Sequence, residues 1–590
     1  MTTFRLWAPA AEHVEVAALG DRHEMLLGSD GWWEAVVPRA GHGTDYAFHL
    51  DGGPPLPDPR SLWQPYGVHE ASRVYDHDVF EWHDQHWRGV PLPGSVLYEM
   101  HVGTFTTEGT FEAAIERLDH LVELGIDVIE LLPVASFDGE RGWGYDGVDL
   151  YAAHEPYGGP DGLKRLVDAC HVRGLGVVLD VVYNHLGPSG NYLGNFGPYF
   201  TETHSTPWGA AINLDAPGSD EVRSWILDNA RSWLRDFHID GLRLDAVHAL
   251  VDTRAMHLLE ELAVEVEVLA AHVGRPLFLV AESDLNDPRL VRAREAGGYG
   301  LDAQWADDVH HALHAMLTGE RQGYYVDFGS LATAAEALER VFVHAGTVST
   351  FRGRHHGRPM DPSVTPGWRF VTYLQNHDQV GNRANGDRPA ATLPPAALKI
   401  GAALLLCSSF TPMLFMGEEW GATTPWMFFT SFGDPELANA VRDGRRAEFA
   451  EHGWAADDVP DPQDPATFER SRLDWAEADK DKHRDVLDWH RQLIALRRSR
   501  AELTDGRLDR VSCSYDDAAR WLVVDRDGLA VVCNLAAERQ AVPVNGAPTG
   551  VLLSSAPGFM FGPGTVELDG WSVAIVTIAA RPDEPPLRRL

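Results

Sequence analysis

Apolar and polar positions alternate in short runs from Phe4 to about Tyr75, as at Tyr46, Phe48 and Leu50, and Asp30-Gly31 and Asp51-Gly52-Gly53 separate the runs. Period-two alternation punctuated by Asp-Gly turns predicts a small β-sandwich. The proline-rich stretch Pro54 to Pro65 then predicts an extended crossing, because proline fixes φ and removes backbone donors. From about Gly94 short apolar strands alternate with helix-length amphipathic segments, the pattern of βα units on a parallel sheet. Eight strands are read at Val96–Met100, Val128–Leu131, Gly176–Val182, Gly241–Asp245, Pro276–Ala281, Ala303–Trp305, Phe370–Gln375 and Pro412–Phe415. The intervening helices include Phe111–Leu124 and Glu221–Phe237, the latter led by Ser219 and Asp220 as caps. Eight units predict an α/β fold, a closed (β/α)8 TIM barrel, with a doubly wound open sheet as the alternative. Excursions at 132–160 and 183–218 are then loops on the active face.

Strand-like runs return after about Arg500, at Trp521–Val524, Leu529–Asn534, Val551–Leu553 and Ser572–Ile578. The expected domains are a β-sandwich with its crossing over 1–90, the barrel over 91–500, and a C-terminal all-β sandwich over 501–590 with a frayed Arg581–Leu590 tail. Ile400–Met416 looks membrane-like, but Ser408, Ser409, Thr411 and Pro412 interrupt it below the ~20 apolar residues of a span. A buried helix followed by a buried strand is expected instead.

Composition narrows the partners. The chain has 590 residues, with 49 Lys and Arg against 87 Asp and Glu, a net charge of −38. That field repels phosphate and no basic cluster reverses it, so neither nucleic acid nor an anionic membrane is expected as a partner. Cys170, Cys407, Cys513 and Cys533 are far apart without a CxxC pair, which fits a reducing cytoplasm. The opening Phe4-Arg5-Leu6-Trp7 runs into Glu12, His13 and Glu15 without the basic and apolar regions of an export signal, so the mature chain is expected to start here.

Hydrogen-bonding groups recur immediately after the apolar runs: Asp180 to His185, Gly241 to Asp245, Phe278 to Glu282, and Leu374 to Asp378. A barrel collects such strand ends into one mouth. Three carboxylates with an arginine suit acetal cleavage at a sugar, which needs one carboxylate to attack, one carboxylic acid to protonate the departing oxygen, and negative charge near a cationic transition state. Arg243 lies two residues before Asp245, so strand alternation points both to one face, where the cation favours the charged nucleophile. Glu282 is the better acid if apolar neighbours surround it. A lone strand-end acid ordinarily caps a helix; four correlated strand ends argue for chemistry. His185 and His377 could be structural or bind a metal, but no HExxH, HxH or Cys/His spacing supports a catalytic metal, and no cofactor is expected.

These four segments, in order, resemble the best-known motifs of the α-amylase family of glycoside hydrolases. The resemblance implies a retaining mechanism with Asp245 as nucleophile, Glu282 as general acid/base and Asp378 as transition-state stabiliser. It also implies that His185, Arg243 and His377 line the cleavage subsite and that Tyr145, in Trp143-Gly144-Tyr145-Asp146, stacks on the sugar. Narrower segments are Phe4 to Pro9, Pro57 to Pro65, Leu244 to Ala249 and Asn376 to Arg383, the last adding Gln379, Asn382 and Arg383 as substrate contacts. They resemble a trehalose-releasing branch of the family, which implies cleavage of the α-1,4 bond beside the terminal trehalose of maltooligosyl trehalose and contact with related α-glucans. His248, three residues past the nucleophile, and Asp307, Asp308, His310 and His311, after the sixth strand, are candidates for reading the trehalose end; a helix start capping its own amides is the plain alternative. Trp426-Met427-Phe428-Phe429 either walls the groove or is core. The competing functions are a branching or debranching enzyme and an inactive glucan-binding protein.

Overall fold

Eight parallel strands, β1 (Leu97–Met100), β2 (Val128–Leu131), β3 (Gly176–Val181), β4 (Gly241–Leu244), β5 (Phe278–Ala281), β6 (Ala303–Trp305), β7 (Phe370–Thr372) and β8 (Thr411–Phe415), pair in chain order, and β8 closes on β1. The closed barrel thus replaces the open-sheet alternative, and each strand overlaps a run expected from the sequence. The structure, a computed structural model, describes residues 1–206, 209–450 and 458–579; the expected Arg581–Leu590 tail lies outside them.

Period-two alternation layers the barrel interior. Leu97, Val128, Val178, Phe278, Ala303, Val371 and Met413 belong to one buried apolar cluster. One alternation further along β1 to β4 stand Glu99, Glu130, Asp180 and Arg243, also buried. The interior is therefore oily below and charged above, and the charged layer floors the mouth.

Two β modules flank the barrel. The first pairs Thr2–Trp7, Trp32–Val37 and Leu26–Leu27 in one sheet and Asp21–Glu24, Val14–Ala18, Asp45–Leu50 and Ser72–Arg73 in another. Its turns are left-handed at Asp30 and Gly31, and at Asp51 and Gly52, as Asp-Gly turns require. The proline-rich crossing is clamped to the barrel: Trp225 Nε1 donates to the Pro59 carbonyl at 2.9 Å, and Arg60 donates to Asp228 at 2.8 Å and to the Tyr151 hydroxyl at 3.0 Å. The C-terminal module faces a five-stranded sheet, in the order Val511–Asp516, Trp521–Arg526, Leu529–Asn534, Ser572–Ala579, Ala547–Ser554, with a three-stranded one. Arg526 anchors it by donating to the carbonyls of Cys407, Glu502 and Asp505 at 2.6 to 2.8 Å.

Local details differ from the expectation in two helices. Phe111–Leu124 is broken into Phe111–Ile115 and Leu118–Leu124. The helix Ser219–Asp236 begins earlier than expected, with Gly218 as its cap, so there is no side-chain cap bond; Ser219 and Asp220 lie within its first turn, where Asp220 pairs with Arg254 at 2.6 Å. Ile400–Met416 is the end of a buried helix, Pro395–Leu406, followed by β8. No helix among the described residues is long and apolar enough to cross a membrane. The four cysteines are free and buried.

Buried Arg497 gathers the chain between the Pro395–Leu406 helix and β8, donating to the carbonyls of Leu406, Ser408, Leu503 and Phe410 at 2.8 to 3.0 Å. Removing it strands four buried acceptors, each costing about 1 to 3 kcal/mol before relaxation. Arg497→Met is expected to lower the thermal midpoint by several degrees while sparing the kcat of the folded fraction; an unchanged midpoint in calorimetry would contradict this role.

Candidate active site

The charged layer converges on one guanidinium. Arg243, fully buried at the end of β4, donates through Nη1 to both Asp180 oxygens at 3.0 and 2.8 Å and to Asp245 Oδ1 at 2.8 Å, and its Nη2 lies 3.7 Å from Glu282 Oε2. The guanidinium sits 4.2 Å from the Trp305 ring centroid. Asp180 in turn accepts the Tyr145 hydroxyl. The alternation argument for Arg243 and Asp245 thus has its geometry: one cation touches carboxyl groups from three successive strand ends.

Asp245 is held from both sides. Asn184 Nδ2 donates to its Oδ2 at 2.8 Å and to its carbonyl at 2.9 Å. The next residue, Ala246, takes a left-handed φ of 40°, unusual for a residue with a Cβ. That turn aims the Ala246 N–H at Glu282 Oε2, 2.6 Å away. Burial raises the Glu282 carboxyl; Arg243 opposes the shift while Asp245 and Asp378 reinforce it, and the group is pushed up to about 8.

Across the mouth, Glu99 of β1 accepts the His377 backbone N–H at 2.9 Å and Nδ1–H at 2.5 Å. Burial alone would lower this imidazole, but the Asp378 and Glu99 carboxylates outweigh it and push it up to about 9. Its Nε2 points to Asp378 Oδ2 at 3.6 Å, and its ring lies 5.1 Å from that of Tyr145 at an interplanar angle of 24°. Asp378 is the open member of the set, with its side chain 41% exposed and Asn382 Nδ2 3.2 Å from Oδ1. His185, bonded to Asn184, joins Trp143, Tyr145, Leu186, Phe428 and Phe432 around a groove of about 560 Å³, which Tyr145 links to Asp180 through its hydroxyl. Of the aromatic run, only Phe428 lines it; Trp426, Met427 and Phe429 are core.

The trehalose-reading candidates separate in space. His248 is exposed, 4.0 Å from Asp284, which pairs with Arg352 at 2.8 Å. Arg352 follows Phe351, 51% exposed between the paired strands Thr347–Ser349 and Arg354–His356. The Phe351 ring stands 6.1 Å from Tyr324, whose hydroxyl donates to Gln379 Oε1 at 3.1 Å, while Gln379 Nε2 reaches Asp307 at 3.4 Å. Burial raises Asp307 to about 6 against the Tyr373 hydroxyl bonded to it.

Asp308 and His310 do not join them. Asp308 is buried, and its Oδ2 accepts the N–H groups of Val343 and His344, both at 2.8 Å, and Asn286 Nδ2 at 3.0 Å. His310 is buried on the Tyr325 hydroxyl at 3.0 Å, and His311 stacks on Tyr324. Successive positions on a helix point about 100° apart, which turns Asp308 away from Asp307; His310 and His311, three and four positions on, share the side of Asp307 but are covered by Tyr325 and Tyr324. Arg383 forms a bidentate pair with Glu320, both bonds 2.9 Å, and also binds Asp387, which commits its guanidinium to the scaffold. Sequence reasoning missed Glu99, Asp284, Tyr324, Phe351 and Arg352. Glu99 stands near the end of the first barrel strand and carried the same positional signal as the others, and Asp284 follows Glu282 by two residues; Tyr324, in a short 3-10 turn, and Phe351 and Arg352, in a hairpin loop, carry no such signal.

Comparisons with known proteins agree with this geometry. Residues 79–198 match the family model of the alpha amylase catalytic domain, residues 1–67 that of carbohydrate-binding module 48 (isoamylase N-terminal domain), and residues 506–575 a domain of unknown function. The malto-oligosyltrehalose trehalohydrolase of Mycobacterium tuberculosis is 54% identical over 98% of this chain and 100% of its own, and that of Arthrobacter ramosus is 54% identical over 98% and 99%. The crystal structure of a putative alpha amylase from Salmonella typhimurium superposes with a TM-score of 0.89 at 39% identity, covering 98% of this chain and 97% of the other. With its carboxyl groups gathered on one buried arginine at the mouth of an eight-stranded barrel, the chain belongs to the malto-oligosyltrehalose trehalohydrolases, glycoside hydrolases of the alpha-amylase family.

Proposed function

We propose that this chain hydrolyses the α-1,4 bond next to the terminal trehalose of maltooligosyl trehalose, releasing trehalose and a maltooligosaccharide, with related α-glucans as poorer partners. The observation that carries the reading is a pair of carboxyl groups against one guanidinium: Asp245 ion-paired at 2.8 Å, and Glu282, 3.7 Å from Nη2, whose burial pushes its carboxyl up to about 8. The Asp245 carboxylate attacks the anomeric carbon of the sugar lying on Tyr145, and the bond to trehalose breaks as Glu282 gives its proton to the departing oxygen. Because the Ala246 N–H occupies Oε2, the proton is delivered from Oε1. Water then opens the glycosyl ester and returns its proton to Glu282. Both carboxyl groups lean on a single arginine, and the peptide next to one hydrogen-bonds the other; this closeness favours the retaining arrangement, about 5 to 5.5 Å, over the wider inverting one. His377, charged on Glu99, and Asp378 hold the hydroxyls of the same sugar. The four free, buried cysteines support a reducing, cytoplasmic setting.

Glu282 must be protonated to act, so kcat/KM is expected to fall as pH rises through about 8. Asp307 is one of the charges that raise Glu282. Asp307→Asn should therefore move this basic limb to lower pH, and Glu282→Gln should lose several orders of magnitude in turnover together with the limb. A limb that stays in place in Asp307→Asn, or near-normal turnover in Glu282→Gln, would sink the assignment.

Trehalose differs from maltose in its 1,1 linkage, so its second ring presents hydroxyls along other directions. His248, Phe351 and Arg352 are the groups standing on the leaving-sugar side, and a stranded polar contact there costs ~1 to 3 kcal/mol. His248→Ala and Phe351→Ala are expected to lower kcat/KM about tenfold on maltooligosyl trehalose and far less on an equally long maltooligosaccharide. Asp308→Ala, by contrast, should lower stability and reduce both activities together. Equal losses from His248→Ala on the two substrates would move trehalose recognition elsewhere.

A further inference from the structure

A second groove of about 560 Å³ lies between the segment that leaves the N-terminal module and the loop after β2, walled by Tyr66, His69 and Glu70 on one side and Asp138, Glu140 and Glu155 on the other. None of the groups assigned to bond cleavage lines it. It shares a partition with the first groove. Ser189 Oγ donates to Asp138 Oδ2 at 2.8 Å, and the Gly433 N–H donates to the same oxygen at 3.1 Å. Ser189 follows Pro188 and Gly433 follows Phe432, and both of those residues line the first groove. His69, 3.8 Å from Asp138, is bonded to the Tyr192 hydroxyl at 2.8 Å, one residue from Asn191 on the first groove's wall. The two spaces are thus separated by single polar side chains.

The chemistry of the second groove suits a neutral polyol. Its walls carry carboxylates and no Lys or Arg, which disfavours anions and offers acceptors to hydroxyls. Tyr66 is 59% exposed yet fixed, because its hydroxyl accepts Arg73 Nη2 at 2.6 Å and Arg73 is itself held by Asp45 at 2.6 and 3.2 Å. An exposed ring held in place is a stacking face whose ordering cost is already met before a ligand arrives.

We propose that this groove is a remote binding site for the distal sugars of an α-1,4-glucan chain, which leaves the reaction centre along the Tyr145–Phe428 groove, passes the Asp138–Ser189 partition, and rests between the module and the barrel. The proposal rests on the trehalohydrolase reading only in placing the glycone in the first groove. It makes the N-terminal module part of the chain-length preference.

The test compares the wild type with Tyr66→Ala and with Tyr66→Ala/Glu70→Ala, following trehalose release from maltooligosyl trehaloses of increasing length. Loss of the stacking face should leave kcat/KM on the shortest substrate within about twofold, and raise KM about fivefold or more on substrates of seven or more glucoses without changing kcat. Tyr66→Phe, which keeps the ring, should retain most of the long-chain affinity. A length profile parallel to that of the wild type would overturn the proposal. Calorimetric titration of full-length Glu282→Gln with maltoheptaose, with and without Tyr66→Ala, reads the groove independently of turnover: weaker binding supports it and unchanged binding rejects it. Should the wild type release no trehalose from any substrate, the functional reading fails, and the titration still decides the groove.

Discussion

A guanidinium with no exposed surface must be surrounded by anions, and this requirement organises the mouth of the barrel. Arg243 is buried over Trp305, where an unpaired charge would cost several kcal/mol. It is paired by Asp180 and Asp245 and approached by Glu282. The two carboxyl groups meet this cation differently. Asp245 is fixed as an ion-paired carboxylate with Asn184 on its other oxygen. Glu282, 3.7 Å from Nη2, is pushed up to about 8 by burial, which Asp245, Asp378 and Asp307 reinforce and the arginine opposes. The difference between the two carboxyl groups is thus a property of their surroundings, an ion pair for Asp245 and burial for Glu282, not of the two side chains themselves.

The barrel makes this position affordable only as part of a layered interior. Apolar side chains of the barrel strands other than β4, which places Gly241 in that layer, fill its lower part, so the residues one alternation higher meet each other and not water. Glu99 belongs to that layer, and through it β1 holds His377 on β7's outgoing loop. The modules act on the loops above. The crossing clamped through Trp225 and Arg60 brings Tyr66 and His69 against the loops after β2 and β3, and Arg526 ties the C-terminal sandwich to the chain entering β8. The loops that shape the Tyr145–Phe428 groove are therefore supported from outside the barrel.

Much of this was legible in the sequence for a physical reason: strand period is two, so an apolar run that ends in Arg-x-Asp or in Glu declares both its inward face and its upper end. The eight strands and the groups at four of their ends followed from that alone. What was not legible depends on partners distant in the chain. Arg383 reads as a substrate contact until Glu320, 63 residues away, is seen to occupy both ends of its guanidinium. Asp308 reads as a mouth residue until helical rotation turns it onto the backbone of Val343 and His344. Ser219 and Asp220 read as caps until the left-handed Gly218 starts the helix ahead of them. Phe351 and Arg352 carry no periodic signal at all, because they lie between two three-residue strands, and only the fold brings them beside Asp284.

The central claim is that one buried arginine sets a carboxylate nucleophile and a neutral acid close enough for double displacement. Proton NMR of the first turnovers on maltooligosyl trehalose tests it most directly, since the newly formed reducing end appears before mutarotation scrambles it. Two displacements return the starting stereochemistry, so the new reducing end of the maltooligosaccharide is expected as the α anomer. A β anomer formed first would mean that water attacks directly, and that Asp245 does not play the part assigned to it.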